Sequence, residues 1–387
     1  MKVLKSLLPI FLILGLAIYG YQKQFEIPAN LLELWIYFSA LFAALVAMLA
    51  IHFNRSSLFF YTILIVLING LLNFNLVSTT LHYALLSVLA PWLMLIFTFM
   101  PERSLLSAKS LPTYLLILSI AAFTTWVIIE QPASVIFYLF NNWLPIHYFD
   151  WTHLPQTGIL SALFIFICLL IINFVKPSPR MAVSLGALSA MLAVLQLKND
   201  AYGLNIFIDA ALLMSLYAII QESWRMAYLD ELTELPGRRA LKEKFQSITG
   251  VYTVAMLDVD HFKKFNDTYG HDTGDAVLRM IASKMKNIKG GGLAYRYGGE
   301  EFSIIFPGKP TEDSEIHLEK IREKIADMPF VVNRQGRRNS TQSGKRKKSK
   351  TVQVTVSIGV SDSIREKGSP WKDNHCRYSQ KSHRFNG

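Results

Sequence analysis

Eight long apolar segments in the first 220 residues constrain the fold of this chain more than any other feature. Each segment approaches the roughly 20 apolar residues that an α-helix needs to cross a bilayer. Only sixteen of these 220 residues are charged, nine Lys or Arg and seven Asp or Glu. The sequence therefore predicts an all-α polytopic transmembrane region of about eight spans, at residues 5–21, 33–52, 58–77, 83–100, 111–129, 157–175, 181–197 and 202–220.

Basic residues at the ends of these segments indicate their orientation. Seven Lys or Arg residues fall at one set of alternate ends, whereas only Lys23 and Lys198 fall at the other. Cytoplasmic loops of membrane proteins carry the excess of Lys and Arg. We therefore expect a multi-pass chain with both termini in the cytoplasm. The longest outward connection, residues 130–156, is a candidate sensory surface, and a helix lying on the membrane is expected over residues 135–144.

Polar residues in this half leave two alternatives open. His147, Asp150 and His153 in the outward connection are compatible with a metal site, although ordinary interfacial residues are favoured. Asp209 lies inside the last span, where an ionisable side chain is costly and often functional. A functional carboxyl and one that is merely hydrogen-bonded to Asn205 or to a neighbouring helix fit the sequence equally well.

The formal net charge of +11 comes mostly from one segment. Residues 1–220 supply +2, and residues 334–350 contain eight cations without an acidic residue. The remainder of the C-terminal half is nearly neutral, so the charge does not indicate a nucleic-acid-binding domain. We interpret residues 335–350 as an enlarged basic loop between a helix that is expected over residues 312–328 and a strand that is expected over residues 351–360. A solvated loop is favoured over one that contacts anionic membrane lipid, which is the second interpretation.

The apolar pattern changes after Ile220. Residues 221–228 are amphipathic and are expected to continue the last span as a helix into the cytoplasm. Pro236 and Gly237 then predict a turn that precedes a new helix. These features divide the chain into a transmembrane sensory region at 1–220, a short signalling linker at 221–229 and a cytoplasmic domain at 230–387.

Acidic residues follow a predicted buried strand in the cytoplasmic domain. Residues 251–257 form a short apolar run, and Asp258-Val259-Asp260 comes directly after it. Carboxylate oxygens are the ligands that hard divalent cations prefer, and such cations often bridge to substrate phosphates. The end of this strand is therefore a candidate metal site.

Two further strands are predicted at residues 293–297 and 302–306, joined by Gly298-Gly299-Glu300-Glu301. Glycines at the tip of a hairpin let the backbone approach a ligand closely. The glutamates offer a second metal carboxylate and a proton acceptor. A simple turn would explain the glycines alone, but the combination with the strand-end carboxylates makes a binding loop the better interpretation.

A set of polar residues between these strands suggests recognition of a base. Asn266 and Asp267 are followed by a helix that is predicted to begin near Asp275, with apolar positions at 277, 278, 281 and 285. An Asp can accept hydrogen bonds from the N1–H and 2-amino groups of guanine, and adenine offers no such pair of donors. A guanine nucleotide is therefore the expected ligand.

Residues of about 220–360 resemble a GGDEF-type diguanylate cyclase domain, here in its GGEEF form. The matching motifs occur in the order Asp230-Glu231-Leu232-Thr233, Arg238-Arg239, Asp258 to Lys263, Asn266-Asp267, Gly270-His271, Gly274-Asp275, Arg296 to Phe302 and Val356 to Val360. The resemblance implies an α/β (α+β) domain with a mainly antiparallel sheet flanked by helices, similar to nucleotide cyclases and polymerase palm domains. It also implies the condensation of two GTP into cyclic di-GMP and pyrophosphate by a homodimer of GGDEF domains in the bacterial inner membrane.

The resemblance assigns roles to individual residues. The Asp258 carboxylate, the Val259 carbonyl and the Glu300 carboxylate would hold Mg²⁺ or Mn²⁺, and Glu300 would also be the base for the ribose 3′-hydroxyl. Lys263 would offset the charge that develops on the phosphates. The substrate-binding residues implied by the same match are Asn266 and Asp275 at the guanine, His271 at the nucleotide, and Gly298 and Gly299 in the loop.

The sequence departs from the family pattern at two places. Lys289 and Gly292 occupy the positions of an Arg-x-x-Asp motif that binds inhibitory product in many relatives, so no such inhibitory site is expected. From about residue 361 the chain also lacks the usual final helix, whose Lys and Arg bind GTP phosphates. Tyr378 and Lys381 keep the family spacing, but Arg384 falls one residue early. The match is lost abruptly near Trp371, which a change of reading frame that replaced this helix would explain.

This departure leaves an alternative function open, that of a catalytically impaired module that binds GTP or another protein. A transporter or channel with a regulatory tail is a third interpretation. It is favoured only by Asp209 and by intramembrane asparagines, and no internal repeat supports it.

Overall fold

The computed structural model describes residues 2–23, 26, 28–74, 79–105, 107–197, 200–332 and 350–364. The chain forms two compact units, Met1–Ser223 and Trp224–Gly387. Most of the predicted basic loop and of the divergent final segment lies outside the described residues, at 333–349 and 365–387.

The first unit is helical in all of its regular structure that is described. Seven of its helices are long and apolar enough to cross a membrane, and in α2 the shorter apolar stretch Tyr37–His52 accompanies them. The helices are α1 (Lys2–Lys23), α2 (Ala29–His52), α3 (Ser56–Asn73), α4 (Thr80–Phe99), α5 (Leu111–Glu130), α6 (Ala133–Phe140), α7 (Gln156–Val175), α8 (Pro179–Gln196) and α9 (Ala201–Tyr228). Each of the eight predicted spans therefore falls on a helix.

Two predictions about helix boundaries can be compared with this structure. The helix expected over residues 135–144 corresponds to α6, which begins after Pro132 and ends before Asn141, so it stops short of the predicted residue 144. Its location on the membrane surface stays a prediction. The expected continuation of the last span is present, because α9 runs without interruption to Tyr228.

Small residues let the central helices of the first unit pack closely. In α9, 72% of the apolar stretch is buried, compared with 6% in α5. At Gly186 in α8, an added Cβ would lie 2.3 Å from Ile10 and 2.4 Å from the Met214 sulfur. Small residues at such contacts allow the close approach that drives association of helices in membranes. Helices α8 and α9 therefore belong to the centre of this unit and α5 to its edge.

The structure provides a partner for Asp209. The indole Nε1 of Trp35 in α2 donates a hydrogen bond to Asp209 Oδ2 at 2.5 Å. The sequence allowed a hydrogen bond from Asp209 to Asn205 or to a neighbouring helix, and the structure shows one to a neighbouring helix. In the outward connection, His147, Asp150 and His153 do not form a group that could hold a metal ion.

Four charged residues pair with each other in the first unit. Arg55 lies 3.1 Å from Glu222, and Arg180 lies 2.9 Å from Glu102 and 3.6 Å from Glu222. The side chains of Arg55 and Glu222 are only 9% and 12% exposed. In the sequence Arg55 and Arg180 served as orientation signals, and the structure shows that they also connect α3, α8 and α9.

Replacing Glu222 by Gln should destabilise this unit, because it leaves the buried guanidinium of Arg55 without its carboxylate. Loss of one partner from a buried pair costs about 3 kcal/mol or more. We expect the melting temperature of the full chain in detergent to fall by on the order of 5 °C, as followed by intrinsic fluorescence. Glu26→Gln is the matched control, since its ion pair with Lys23 is exposed and should contribute little.

The second unit contains a four-stranded antiparallel sheet in the order β2-β3-β1-β6. Its strands are β1 (Tyr252–Val259), β2 (Leu293–Gly298), β3 (Glu301–Pro307) and β6 (Val356–Asp362), and β4 (Phe330–Val332) pairs separately with β5 (Lys350–Val352). The helices are α10 (Arg238–Ser247), α11 (Phe262–Tyr269), α12 (His271–Met285) and α13 (Thr311–Ala326). This arrangement confirms the predicted fold class of a helical region followed by a mainly antiparallel sheet with flanking helices.

The core of this unit lies between the sheet and its helices. Alternate residues of β1 are buried, and they share one cluster with the predicted apolar positions 277, 278, 281 and 285 of α12. Burial of alternate strand residues follows from the two-residue period of a strand. The cluster also includes Leu318, Ile321 and Ile325 of α13.

Three elements of this unit differ from the predictions. Helix α12 begins at His271 rather than near Asp275, and α11 was not predicted. The single strand expected over residues 351–360 is two strands in different sheets, because β5 pairs with β4 whereas β6 pairs with β1. Thr355 lies between these strands. Its carbonyl oxygen accepts a hydrogen bond from the Asp260 N–H, and its hydroxyl donates one to the Asp260 carboxylate.

Candidate functional site

The candidate site begins at the end of β1. Asp258 and Val259 are the last two residues of this strand, rather than following it as the sequence suggested. In the sheet register Asp258 lies opposite Glu301 of β3 on one side and Ser357 of β6 on the other. The strand-end carboxylate is thereby placed beside the turn between β2 and β3.

That turn is the predicted glycine hairpin. Its register shifts between Arg296 and Gly298, and Gly299 has a positive φ of 49°, a conformation that glycine adopts at little cost. An added Cβ at either Gly298 or Gly299 would meet no atom within 4 Å. The main chain of the turn therefore borders open space that a ligand can enter.

The carboxyl groups of Asp258 and Glu300 both have raised pKa values. Burial, and to a lesser degree Asp260, raises the pKa of Asp258, although the Val259 N–H opposes this shift. The pKa of Glu300 is also raised, by burial first and then by the charges of Asp258 and Glu301. Neighbouring negative charges disfavour ionisation. A cation between these groups would remove the repulsion.

The carboxylates also have unused hydrogen-bonding capacity. Asp258 Oδ1 is buried and has no hydrogen-bond partner, and a buried polar atom of this kind requires an explanation. Nowhere in the described part of the chain do three or more His, Cys, Asp or Glu side chains form a metal site. Two carboxylates with one orphaned oxygen nevertheless fit a hard divalent cation that completes its shell with main-chain and substrate oxygens.

The second aspartate of Asp258-Val259-Asp260 has a different environment. Asp260 accepts hydrogen bonds of 2.6 Å from the hydroxyls of Thr355 and Ser357. Its main-chain N–H also donates to the Thr355 carbonyl at 3.0 Å. Asp260 therefore attaches the end of β1 to the start of β6.

Asn266 packs against the first turn of α12. An added Cβ at Gly274 would lie 1.9 Å from Asn266 Oδ1 and 3.1 Å from Phe262. Asn266 Oδ1 is buried without a hydrogen-bond partner. Gly274 precedes Asp275 directly, so the structure brings together the two elements that carry the predicted guanine-binding residues. The sequence contained Gly274 in its motif but did not indicate that the glycine makes room for Asn266.

Lys263 and His271 occupy the first turns of α11 and α12, and both side chains are exposed. Within the part of the chain that the structure describes, no ion pair joins Lys263 to Asp258 or Glu300. These two positions therefore stay predictions that are based on the family resemblance.

A connection that the sequence analysis missed supports the glycine turn. Arg296 Nη1 donates to Asp230 Oδ1 at 2.7 Å, and its Nη2 donates to the Gly299 carbonyl at 2.8 Å. Asp230 Oδ1 also accepts from the N–H and the hydroxyl of Thr233, at 2.8 and 2.6 Å. The segment that follows α9 is thus connected to the turn through one guanidinium. Asp230, Thr233 and Arg296 were part of the recognised motifs, which was the only available signal.

Replacing Asp230 by Asn should loosen the turn, because Arg296 loses its charged partner. Loss of a hydrogen bond to a charged group costs about 1–3 kcal/mol. We expect amide hydrogen exchange in residues 293–301 to be about tenfold faster, measured at pH 7 on the full chain. The exposed pair between Glu234 and Lys286 gives the control Glu234→Gln, which should leave this exchange unchanged.

The pKa of Asp230 determines how the effect of Asp230→Asn should depend on pH. Burial alone would raise this pKa, but hydrogen bonds from Thr233 and Arg296 lower it overall. A carboxyl with a lowered folded pKa contributes its full stabilisation above the unfolded value of about 3.9. That contribution is lost as the pH falls through the folded pKa. If the effect of Asp230→Asn persisted undiminished below the folded pKa, a role for the ionised carboxylate would be contradicted.

The positions of the absent Arg-x-x-Asp motif lie just before β2. Lys289 is exposed, and an added Cβ at Gly292 would lie 2.8 Å from the ring of Phe306 and 3.0 Å from Ile288. An aspartate at residue 292 would require these side chains to move. The absence of product inhibition through this site stays a prediction.

Comparison with known proteins identifies the second unit. Residues 227–374 match the family model described as "Diguanylate cyclase, GGDEF domain". The chain is 35% identical over 159 residues to response regulator PleD of Caulobacter vibrioides, which covers 39% of this chain and 32% of PleD. It is 35% identical over 142 residues to diguanylate cyclase VdcA of Vibrio cholerae, covering 36% of this chain and 38% of VdcA.

A solved structure with similarity is the coiled coil and GGDEF domain of DgcB from Caulobacter crescentus in complex with c-di-GMP. It is 30% identical, with a TM-score of 0.33, over 40% of this chain and 78% of that chain. The chain spans about a third of the length of PleD and VdcA. The residues matched by the family model, 227–374, include the sheet, the glycine turn and the carboxylates described above. The chain therefore carries a GGDEF domain, preceded by a helical region in which seven helices are able to span a membrane.

Proposed function

We propose that this chain is a membrane-bound diguanylate cyclase that condenses two GTP into cyclic di-GMP with release of pyrophosphate. The observation that carries the proposal is the position of Asp258 at the end of β1, opposite Glu301 and beside a glycine turn that is open to a ligand. Phosphoryl transfer requires charge neutralisation and positioning, with little covalent work by the protein. Carboxylates beside the accessible main chain of the glycine turn meet these requirements.

Asp258, the Val259 carbonyl and Glu300 would hold Mg²⁺ or Mn²⁺, which when bound neutralises charge on the phosphates. Glu300 is proposed to accept the proton of the ribose 3′-hydroxyl. Its position in the glycine turn, which borders open space that a nucleotide can enter, favours this role, because a general base must lie within reach of the proton that it accepts. Gly298 and Gly299 allow the nucleotide to lie against the main chain.

The remaining site residues are proposed to bind the nucleotide. Asn266 and Asp275 would recognise the edge of guanine, and the unpartnered Oδ1 of Asn266 is available to accept from a base N–H. His271 would lie at the nucleotide, and Lys263 would offset phosphate charge from the first turn of α11. Each domain holds one GTP, so the active species is a homodimer that joins two half-sites.

We place the protein in the bacterial inner membrane with both termini in the cytoplasm, where GTP and Mg²⁺ are present. The seven apolar helices and the distribution of Lys and Arg support this placement. The membrane region is proposed to control the output through residues 221–229, which form a helix up to Tyr228.

The alternative is a catalytically impaired module that binds GTP or another protein. It is favoured by the divergent sequence after residue 361, where Lys381 keeps the family spacing but Arg384 is displaced. Under this alternative the guanine and metal sites are occupied without turnover.

Incubation of the detergent-purified full chain with GTP and Mg²⁺, followed by mass spectrometry of the products, tests both functions. We expect cyclic di-GMP and pyrophosphate, and no product after chelation of the metal with EDTA. Tight GTP binding without product, together with product from a variant whose final helix is restored to the family pattern, would support the impaired module. Absence of both binding and product in the two chains would contradict the proposal.

A further inference from the structure

An apolar groove lies between α4 and α5 in the first unit. It has a volume of about 390 Å³, which is within the range of small-molecule sites. The groove is lined by Trp92, Leu95, Ile96 and Phe99 of α4 and by Thr113 and Leu116 of α5, with Met100 at its end. The only side-chain polar groups of this lining are the Thr113 hydroxyl and the Trp92 indole N–H.

The groove is open because α5 is attached to the unit mainly near its two ends. Val127, its buried residue, packs with Leu81, Leu85 and Leu139. Near its other end, the Tyr114 ring packs edge-on against Phe60 at 5.9 Å. The Tyr114 hydroxyl also donates to the Leu105 carbonyl at 2.9 Å. Helix α5 therefore leaves part of the apolar surface of α4 uncovered.

Two cations lie in the connection at one end of the groove. Arg103 follows Met100 by three residues and Lys109 precedes Thr113 by four, and both side chains are exposed. The Arg103 guanidinium donates from Nη1 to the Lys109 carbonyl at 2.5 Å. This hydrogen bond holds the positive charge of Arg103 beside the segment that carries Lys109.

The acidic residue of the same connection does not neutralise these cations. Glu102 is paired with Arg180 at 2.9 Å. It also accepts hydrogen bonds from the hydroxyls of Ser56 and Ser57 and from the main-chain N–H of Ser57. With this carboxylate directed to other partners, the exposed side of the connection is positively charged.

We propose that this groove binds an acyl chain of an anionic phospholipid, whose phosphate lies at Arg103 and Lys109. The proposal rests on the membrane placement of the first unit and is independent of cyclase activity. Basic pockets between transmembrane helices on the cytoplasmic side are suited to anionic headgroups. A helix from a second copy fits less well, because two copies in one membrane have the same orientation and would bring their Arg103 and Lys109 residues to the same level.

Native mass spectrometry of the full chain can count the bound lipids. The protein in detergent is titrated with phosphatidylglycerol or with phosphatidylcholine of the same acyl chains. We expect a phosphatidylglycerol adduct that forms at least about fivefold more readily than the phosphatidylcholine adduct, since each cation near the headgroup contributes on that order. Equal binding of the two lipids to the wild-type chain would overturn the headgroup assignment.

Two variants separate the groove from the cations. Leu116→Trp fills the groove and should reduce adducts of both lipids, whereas Leu118→Trp is the matched control, because Leu118 is 65% exposed and does not line the groove. The double change Arg103→Gln and Lys109→Gln should lower phosphatidylglycerol binding about 25-fold, to the level of phosphatidylcholine. Lys176→Gln, at another exposed cation on the expected cytoplasmic side, should have no effect.

The same spectra test whether a second copy of the chain occupies the groove in place of lipid. If Leu116→Trp converts a dimer to a monomer and leaves lipid adducts unchanged, the groove is a contact between copies and the proposal is wrong. Unchanged adducts in both Leu116→Trp and the double variant would also overturn it. The double variant alters only exposed side chains, so it still decides the headgroup assignment if Leu116→Trp does not fold. None of these outcomes depends on whether the chain makes cyclic di-GMP.

Discussion

Glu300→Gln is expected to lower the rate of cyclic di-GMP formation by about 10²–10⁴-fold, the typical contribution of a positioned general base. Gln keeps the size of the side chain but accepts no proton and is a weaker metal ligand. Glu300 lies near the charge of Asp258 and is not fully buried, so removal of its charge should leave the fold intact. The measurement is kcat and KM for GTP with purified full chain, followed by release of pyrophosphate.

Binding of GTP distinguishes a catalytic effect from unfolding. The variant should still bind GTP in the presence of Mg²⁺, with weaker dependence on the metal concentration. Asp313→Asn removes an exposed carboxylate in the first turn of α13 and serves as the charge-matched control with unchanged rates. Thr311 of this turn binds Asp362, which lies at the opposite end of β1 from Asp258. If Glu300→Gln retained wild-type activity, both the metal and the base assignment of this residue would be wrong.

Gly274→Ala should raise the KM for GTP by about 10–100-fold with a smaller change in kcat. The new Cβ would lie 1.9 Å from Asn266 Oδ1 and 2.9 Å from its Cγ, so Asn266 must leave its position. Loss of a hydrogen bond to the base corresponds to about 1–3 kcal/mol, which gives this range in affinity. An interaction made equally in ground and transition states appears mainly in KM.

Helix propensity predicts the opposite result if the added Cβ is tolerated. Alanine stabilises a helix interior by about 1 kcal/mol relative to glycine, so a tolerated Cβ would raise the stability of α12 without harming activity. That outcome would contradict the proposed role of Gly274. Asn266→Ala should show a similar KM, and the double variant should be no worse than either single variant, because both remove the same interaction. Gly70→Ala, where an added Cβ meets no atom within 4 Å, is the matched glycine control.

The elements that could be predicted are those specified by local pattern. Apolar length alone located the helices that are able to span a membrane, because a helix that crosses a bilayer satisfies its own backbone. The hairpin around Gly298 was predictable since two short strands and a glycine turn lie within 14 residues, from 293 to 306. The apolar positions of α12 followed from the helical period and are all buried.

Other features depend on partners that are distant along the chain. Asp230 and Arg296 are 66 residues apart, and Asp260 meets Ser357 from 97 residues away. Their pairing requires the sheet order, which no local period reveals. The basic residue Arg55 looked like an orientation signal, and only the packing of α3 and α9 shows that it forms a buried pair with Glu222.

The sequence by itself determined that the chain has an apolar helical half and a GGDEF-like half, because hydrophobic length and ordered motifs are local properties. It also predicted which carboxylates belong to the site, and that assignment stays a prediction. Only the tertiary structure decided that Asp258 lies opposite Glu301 at the glycine turn, that Gly274 makes room for Asn266, and that α5 leaves a groove on α4. The physical reason is that strand pairing, steric exclusion and uncovered surface depend on distances between segments, and the folded chain alone sets those distances.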